Sequence, residues 1–131
     1  MTLTILFILL TIIVHAPIYS YLPIIVSEPT QPYEAIWRAV CQVESSNDPL
    51  AYNKNEHAVG IAQIRQCRVD DFNKQTGKNY KLQEMYCPVK SKEVFLFFAD
   101  KLQTPDLIIR KWNGSGVKTY SYLAKVQGVI K

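Results

Sequence analysis

A chain of 131 residues has room for one domain and no more. Fifteen basic against 11 acidic residues leave a net charge of +4, which suits anionic partners such as cell wall or nucleic acid without separating them. Three cysteines, Cys41, Cys67 and Cys87, have no closely spaced histidine and fit no zinc pattern, so no metal site is expected. His15 falls in the N-terminal leader and His57 in a polar loop, so no Cys/His arrangement suggests nucleophilic catalysis.

The N-terminal stretch Thr2–Val14 carries no charge and consists mostly of Leu, Ile and Phe. About 13 apolar residues are short of the roughly 20 that a membrane span needs, and match the apolar core of a secretory signal better. No Lys or Arg precedes the run, and Pro17 follows the small-residue spacing of Val14-His15-Ala16. Residues 1–20 are therefore read as a signal peptide or a retained N-terminal anchor, with membrane attachment through residues 3–26 in the second case. Either reading places the rest of the chain outside the cytoplasm, in the periplasm or cell envelope. An oxidising compartment favours one disulfide and one leftover thiol, and Cys67 with Cys87 is the preferred pair because both flank one loop-rich excursion.

Residues 21–32 read as a linker that ends in the proline-containing Ser27-Glu28-Pro29-Thr30-Gln31-Pro32. Residues 33–131 form the domain. Pro32 opens a helical stretch with Ile36, Val40 and Val43 on one face, and Trp37, Cys41 and Glu44 beside them. Ser45-Ser46-Asn47-Asp48-Pro49 is turn chemistry that ends it. The apolar run Ala58–Ile64 reads as a strand or the lead-in to a helix. Asp70 and Asp71 follow the basic stretch from Arg65 to Arg68 and read as a solvated helix face, and Asn73–Lys81 reads as a surface loop. Pro88 starts a helix through Val94, Phe95, Phe98 and Leu102. Thr104-Pro105 starts a shorter one to about Lys111, and Trp112-Asn113-Gly114-Ser115-Gly116 breaks it. A last amphipathic stretch carries Val117, Tyr120, Leu123 and Val126. The expected domain is mainly α, with long loops and at most a small β element.

Glu44 stands at the end of an apolar helix face, next to a turn, where a side chain can project into a cleft. Apolar neighbours such as Trp37 and Val40 would strip water from its ionised form and raise its pKa, as a general acid near neutral pH requires. Its surroundings resemble the lytic transglycosylases with a soluble-lytic-transglycosylase-type catalytic domain. Glu44-Ser45, then Pro49-Leu50-Ala51, then Gly60-Ile61-Ala62-Gln63 match that family's Glu-Ser, Pro-x-Ala and Gly-Leu-Met-Gln elements in order. Trp112-Asn113-Gly114 echoes its Tyr-Asn-Ala-Gly-like turn.

The resemblance spans about residues 33–126 and implies a single lysozyme-like domain. It makes Glu44 the acid and base and Ser45 a hydroxyl that helps orient it. Gln63 would line the glycan groove, with Trp112 and Asn113 in the turn facing Glu44, while Gly60 and Gly114 would meet backbone requirements. It also implies peptidoglycan glycan strands as partner, no cofactor and no nucleic acid. Two departures stand out: Ile61-Ala62 replaces Leu-Met, giving a smaller lining, and Trp112 has no phenol. If that hydroxyl assists the acid in relatives, Tyr120 or Tyr122 would have to supply it. A second carboxylate in the loop, Glu56, would instead suit a goose-type lysozyme-like hydrolase. A wall-binding or assembly module that lost turnover is the remaining alternative.

Overall fold

The structure, a computed structural model, describes residues 33–130. The leader and the linker, Pro32 included, lie outside the described residues; the first helix starts at Glu34, after a left-handed Tyr33 (φ 71°), and not at Pro32. Helix α1 (Glu34–Ser45) forms because Ile36, Trp37, Val40 and Cys41 recur every three or four residues and turn one face inward. It stops where Ser46 and Asn47 take left-handed backbone angles, φ 57° and 65°, and return their N–H groups to Gln42 O and Cys41 O. Glu44 is thereby held in the last turn.

Strands β1 (Tyr52–Asn53) and β2 (Ala58–Val59) pair antiparallel, with Tyr52 opposite Val59 and Asn53 opposite Ala58. The apolar run Ala58–Ile64 is thus a two-residue strand followed by a tight reversal, which brings Ile64 back against Val59. Gly60 makes the reversal with φ +78°. A Cβ on Gly60 would lie 2.1 Å from Met85 O, so the site also excludes any side chain.

Helix α2 (Gln66–Thr76) buries Val69 and Phe72 and ends on Gly77, which is left-handed. The expected surface loop over Asn73–Lys81 is therefore corrected: its first four residues are helical. Asn73 closes the rest by donating to Tyr80 O (2.8 Å) and accepting from Tyr80 N–H (2.9 Å). A 3₁₀ turn over Leu82–Tyr86 buries Met85, and Pro88 then opens helix α3 (Pro88–Leu102) at its first position. Helix α4 (Pro105–Asn113) begins in the same way. It includes Trp112 and Asn113, so the break falls at Gly114 rather than at Trp112.

Helix α5 (Lys118–Val129) differs from expectation in phase. Thr119, Tyr122 and Val126 face inward, whereas Val117 is 85% exposed and Tyr120 is 57% exposed. Both registers have helical spacing, but only one satisfies the polar groups. Thr119 Oγ1 donates to Gly116 O (2.7 Å) and accepts from Arg110 Nε (3.1 Å), while the Arg110 guanidinium covers the Tyr120 ring at 3.8 Å.

Val40, Phe72, Phe95, Ile109 and Val126 bring the five α-helices of the described residues into one core. Burying each such side chain stabilises the fold by about 1.5–3 kcal/mol. Ring contacts of 5.3 Å from Trp37 to Phe95 and 5.1 Å from Phe95 to Trp112 run through it from α1 to α4. The architecture is the mainly α, lysozyme-like one expected. The expected Cys67–Cys87 disulfide is absent, and all three thiols are free. Cys67 sits in the first turn of α2, lining a cleft to which Cys87, just ahead of α3, contributes nothing.

Candidate active site

The end of α1, the Gly60–Gln63 reversal, the start of α2 and the end of α4 enclose a cleft of about 190 Å³. Glu44, Gln63, Trp112, Asn113 and Gly114 all line it, together with Glu56 and Arg65. Residues up to 70 positions apart in sequence are thus brought together. A larger depression of about 650 Å³, between α1 and the end of α5, offers no such chemistry. Its carboxylate, Glu34, is already paired with Arg38 (3.0 Å) and Lys92 (2.5 Å).

Glu44 is half-buried, and loss of water raises its pKa above the ordinary carboxylate value. A hydrogen bond from Tyr122 and the positive charge of Arg65 act in the opposite direction, and Glu56 adds a smaller upward push. The negative end of the α1 dipole also lies at this residue and disfavours a charged carboxylate there. Tyr122 Oη donates to Glu44 Oε1 at 2.6 Å. The phenol is itself buried, and burial followed by the nearby carboxylate pushes its pKa upward, so it stays a donor. Among the described residues Oε2 has no hydrogen-bond partner.

Tyr122 therefore stands where the sequence left a choice between two tyrosines; Tyr120 is on the outside under Arg110. Trp112 does not approach Glu44 through a polar atom. Its indole N–H donates to Ala62 O (3.2 Å) and ties α4 to the reversal after β2. Ala62 is fully buried, so it belongs to the core rather than to a shortened groove lining.

Ser45 Oγ donates to Ile61 O at 2.8 Å, with Cys41 O at 3.3 Å. It joins the end of α1 to the reversal instead of bonding to the Glu44 carboxyl. Gln63 reaches the cleft from a left-handed backbone, φ 50°, while its Nε2 donates to Gly60 O (3.0 Å) and Ala51 O (3.3 Å). Gly114 has φ 130° and ψ −130°, a conformation open to glycine alone. Asp48, in the turn after α1, accepts from Leu50 N–H at 2.9 Å, and Asp70 and Asp71 each accept from a glutamine on the exposed side of α2.

Two arginines that read as plain surface charge belong to the site. Arg65 Nη2 meets Glu56 Oε2 at 2.7 Å over the cleft. Arg68 lies between the rings of Phe98 (4.8 Å) and Trp112 (4.9 Å) and donates to Lys111 O (3.0 Å) and Trp112 O (3.3 Å). It thus satisfies two of the open carbonyls in the last turn of α4 and fixes the Trp112–Gly114 segment. The only sequence signal was the three-residue interval between Arg65 and Arg68, which puts both on one side of a helix.

Comparison with curated proteins and with solved structures returns no match. The model of one family does match, over residues 28–94, which takes in Glu44, Gly60, Gln63 and both arginines but stops before Trp112 and Tyr122. With more than half of its length so matched, and with a lysozyme-like helical fold around the acid, the chain belongs to the transglycosylase SLT domain family.

Proposed function

We propose that this protein is a peptidoglycan lytic transglycosylase that cuts the β-1,4 bond between N-acetylmuramic acid and N-acetylglucosamine, with Glu44 as its only acid and base. The observation that carries the reading is the half-buried Glu44 carboxyl in a cleft, held through one oxygen by Tyr122. Burial keeps the proton on Glu44 to higher pH than an exposed carboxyl would hold it. With Oε1 accepting from Tyr122, Oε2 is the oxygen that carries the proton towards the glycosidic oxygen.

Protonation breaks the bond from the muramic anomeric carbon to the departing N-acetylglucosamine oxygen. The sugar's own N-acetyl oxygen stabilises the positive charge that develops. Glu44, now ionised, takes the proton of the 6-hydroxyl as that oxygen attacks the anomeric carbon. The acid is regenerated, no water is consumed, and the product ends in a 1,6-anhydro sugar. Tyr122 supports the ionised stage most, since its hydrogen bond strengthens when the acceptor is charged.

Glu56 favours a second reading, hydrolysis with two carboxylates, because it lines the same cleft. Glu56 is half exposed and lacks the burial that sets Glu44 apart as the proton donor. Such a substrate places the domain outside the cytoplasm, in the periplasm or envelope. Mass spectrometry of fragments released from purified peptidoglycan tests the assignment. Anhydro ends are expected; reducing ends would establish the hydrolase, and no release would leave a binding module. A Glu44→Gln variant that cleaves at the wild-type rate would refute the role of Glu44.

A further inference from the structure

One wall of the Glu44 cleft is cationic. Arg65 and Arg68 both line it, one helical turn apart at the start of α2. The Arg68 charge meets no carboxylate among the described residues, only the two α4 carbonyls and two aromatic faces. Arg65 has a single ion-pair contact, to Glu56 on the β1–β2 loop, and both side chains are about half exposed, 46% and 50%. An exposed pair of this kind is weak and exchanges readily with a competing anion. A guanidinium can hold a carboxylate through two parallel hydrogen bonds, and the single Arg65–Glu56 contact leaves that capacity open.

The substrate proposed above carries carboxylates beside the bond to be cut: on the lactyl ether of muramic acid, or on the peptide joined to it. We propose that Arg65 receives this muramyl-side carboxylate, and that Glu56 holds the guanidinium in place until the substrate displaces it. Arg68, fixed by Phe98 and Trp112, adds positive potential to the same wall without itself moving. Glu56 returns to water as the substrate carboxylate takes its place, so charge balance across the wall is kept. Arg65 would then select strands by their free carboxylates, a role separate from acid–base chemistry at Glu44. The inference rests on the transglycosylase reading for the identity of the glycan.

The test is a binding titration of the full-length chain carrying Glu44→Gln, so that turnover does not intervene. Three tetrasaccharides are compared: one with free lactyl carboxylates, one bearing peptides with free carboxylates, and one bearing fully amidated peptides. At least one carboxylated ligand should bind about tenfold or more tightly than the amidated one. Whichever it is identifies the lactyl or the peptide group as the source. Adding Arg65→Gln should erase the preference, and adding Glu56→Gln should keep or enlarge it by removing the competitor. Equal affinity for all three ligands, absence of binding to any, or a preference that survives Arg65→Gln would overturn the proposal. Failure of the wild-type protein to release fragments would sink the transglycosylase reading alone, because the titration does not depend on cleavage.

Discussion

Removal of one oxygen atom, in Tyr122→Phe, separates the role of the phenol from that of the carboxyl it holds. The ring would remain packed at the same buried position, and only the 2.6 Å hydrogen bond to Glu44 Oε1 would be lost. A hydrogen bond to a neutral acceptor contributes about 0.5–1.5 kcal/mol, and one to a charged acceptor about 1.5–3 kcal/mol. The variant should therefore lose more when Glu44 is ionised than when it is protonated. That difference raises the pKa of Glu44 further, because the phenol is the largest influence that lowers it.

In a transglycosylase that needs Glu44 protonated at the outset, activity falls as pH rises through that pKa. The alkaline limb of kcat/KM should consequently move to higher pH in Tyr122→Phe. The ionised stage loses its support at the same time, so kcat at the optimum should fall by about 10- to 100-fold, the rate equivalent of the charged hydrogen bond. Initial rates on peptidoglycan from acid to alkaline pH read both effects. A merely structural tyrosine would lower activity without moving the limb. An unmoved limb with wild-type kcat would refute the reasoning outright.

The same burial predicts that Glu44→Gln, though inactive, is the more stable protein at neutral pH, by about 1 kcal/mol or several degrees in Tm. A folded-state pKa above the unfolded one makes wild-type stability greatest below the unfolded pKa and lost as pH rises through the folded pKa, so the variant's advantage should vanish in acid; a variant less stable at pH 7 would contradict this. Gly60→Ala should cost about 3 kcal/mol or more by urea unfolding, since its Cβ would lie 2.1 Å from Met85 O on a backbone with φ +78°, and a cost under 1 kcal/mol would mean that the reversal can relax. Thiol titration of the unreduced native protein should find Cys67 and Cys87 fast and Cys41 slow, burial having pushed the Cys41 thiol up to about 12; loss of both fast thiols would restore the disulfide.

The parts of the site that were legible in the sequence are those made by local chain geometry. Glu44 ends an apolar helix face just before turn residues, which depends on no distant packing, whereas Gly60 was marked by the resemblance alone, its need for glycine coming partly from Met85 O, 25 residues away. The starts of α3 and α4 were equally plain because proline at the first helical position acts through its own ring. Tyr122 was legible only as one of two candidates. Val117-Tyr120-Leu123 and Thr119-Tyr122-Val126 both have helical spacing, and the choice between them follows from partners 78 and 9 residues away: Glu44 for Tyr122, Arg110 for Thr119. Arg68 was hidden for the opposite reason. A basic residue on an amphipathic helix reads as solvated, and nothing local shows that two aromatic rings from α3 and α4 will enclose it.

The exchange of phenol for indole at Trp112 is where these long-range contacts matter most. On the turn-motif resemblance alone, loss of that hydroxyl argued against turnover. In the folded domain a hydroxyl reaches Glu44 from α5, and Trp112 does a different job, bridging Ala62 and Arg68 so that the end of α4 is fixed over the cleft. An indole suits that job better than a phenol, since its N–H points one way while its face accepts a cation. Restoring tyrosine in Trp112→Tyr should thus weaken the domain by loosening Arg68 and the Ala62 contact, and should not raise activity, because the Glu44 oxygen facing the protein is already occupied. An increase in kcat in that variant would show that Tyr122 leaves the acid under-supported.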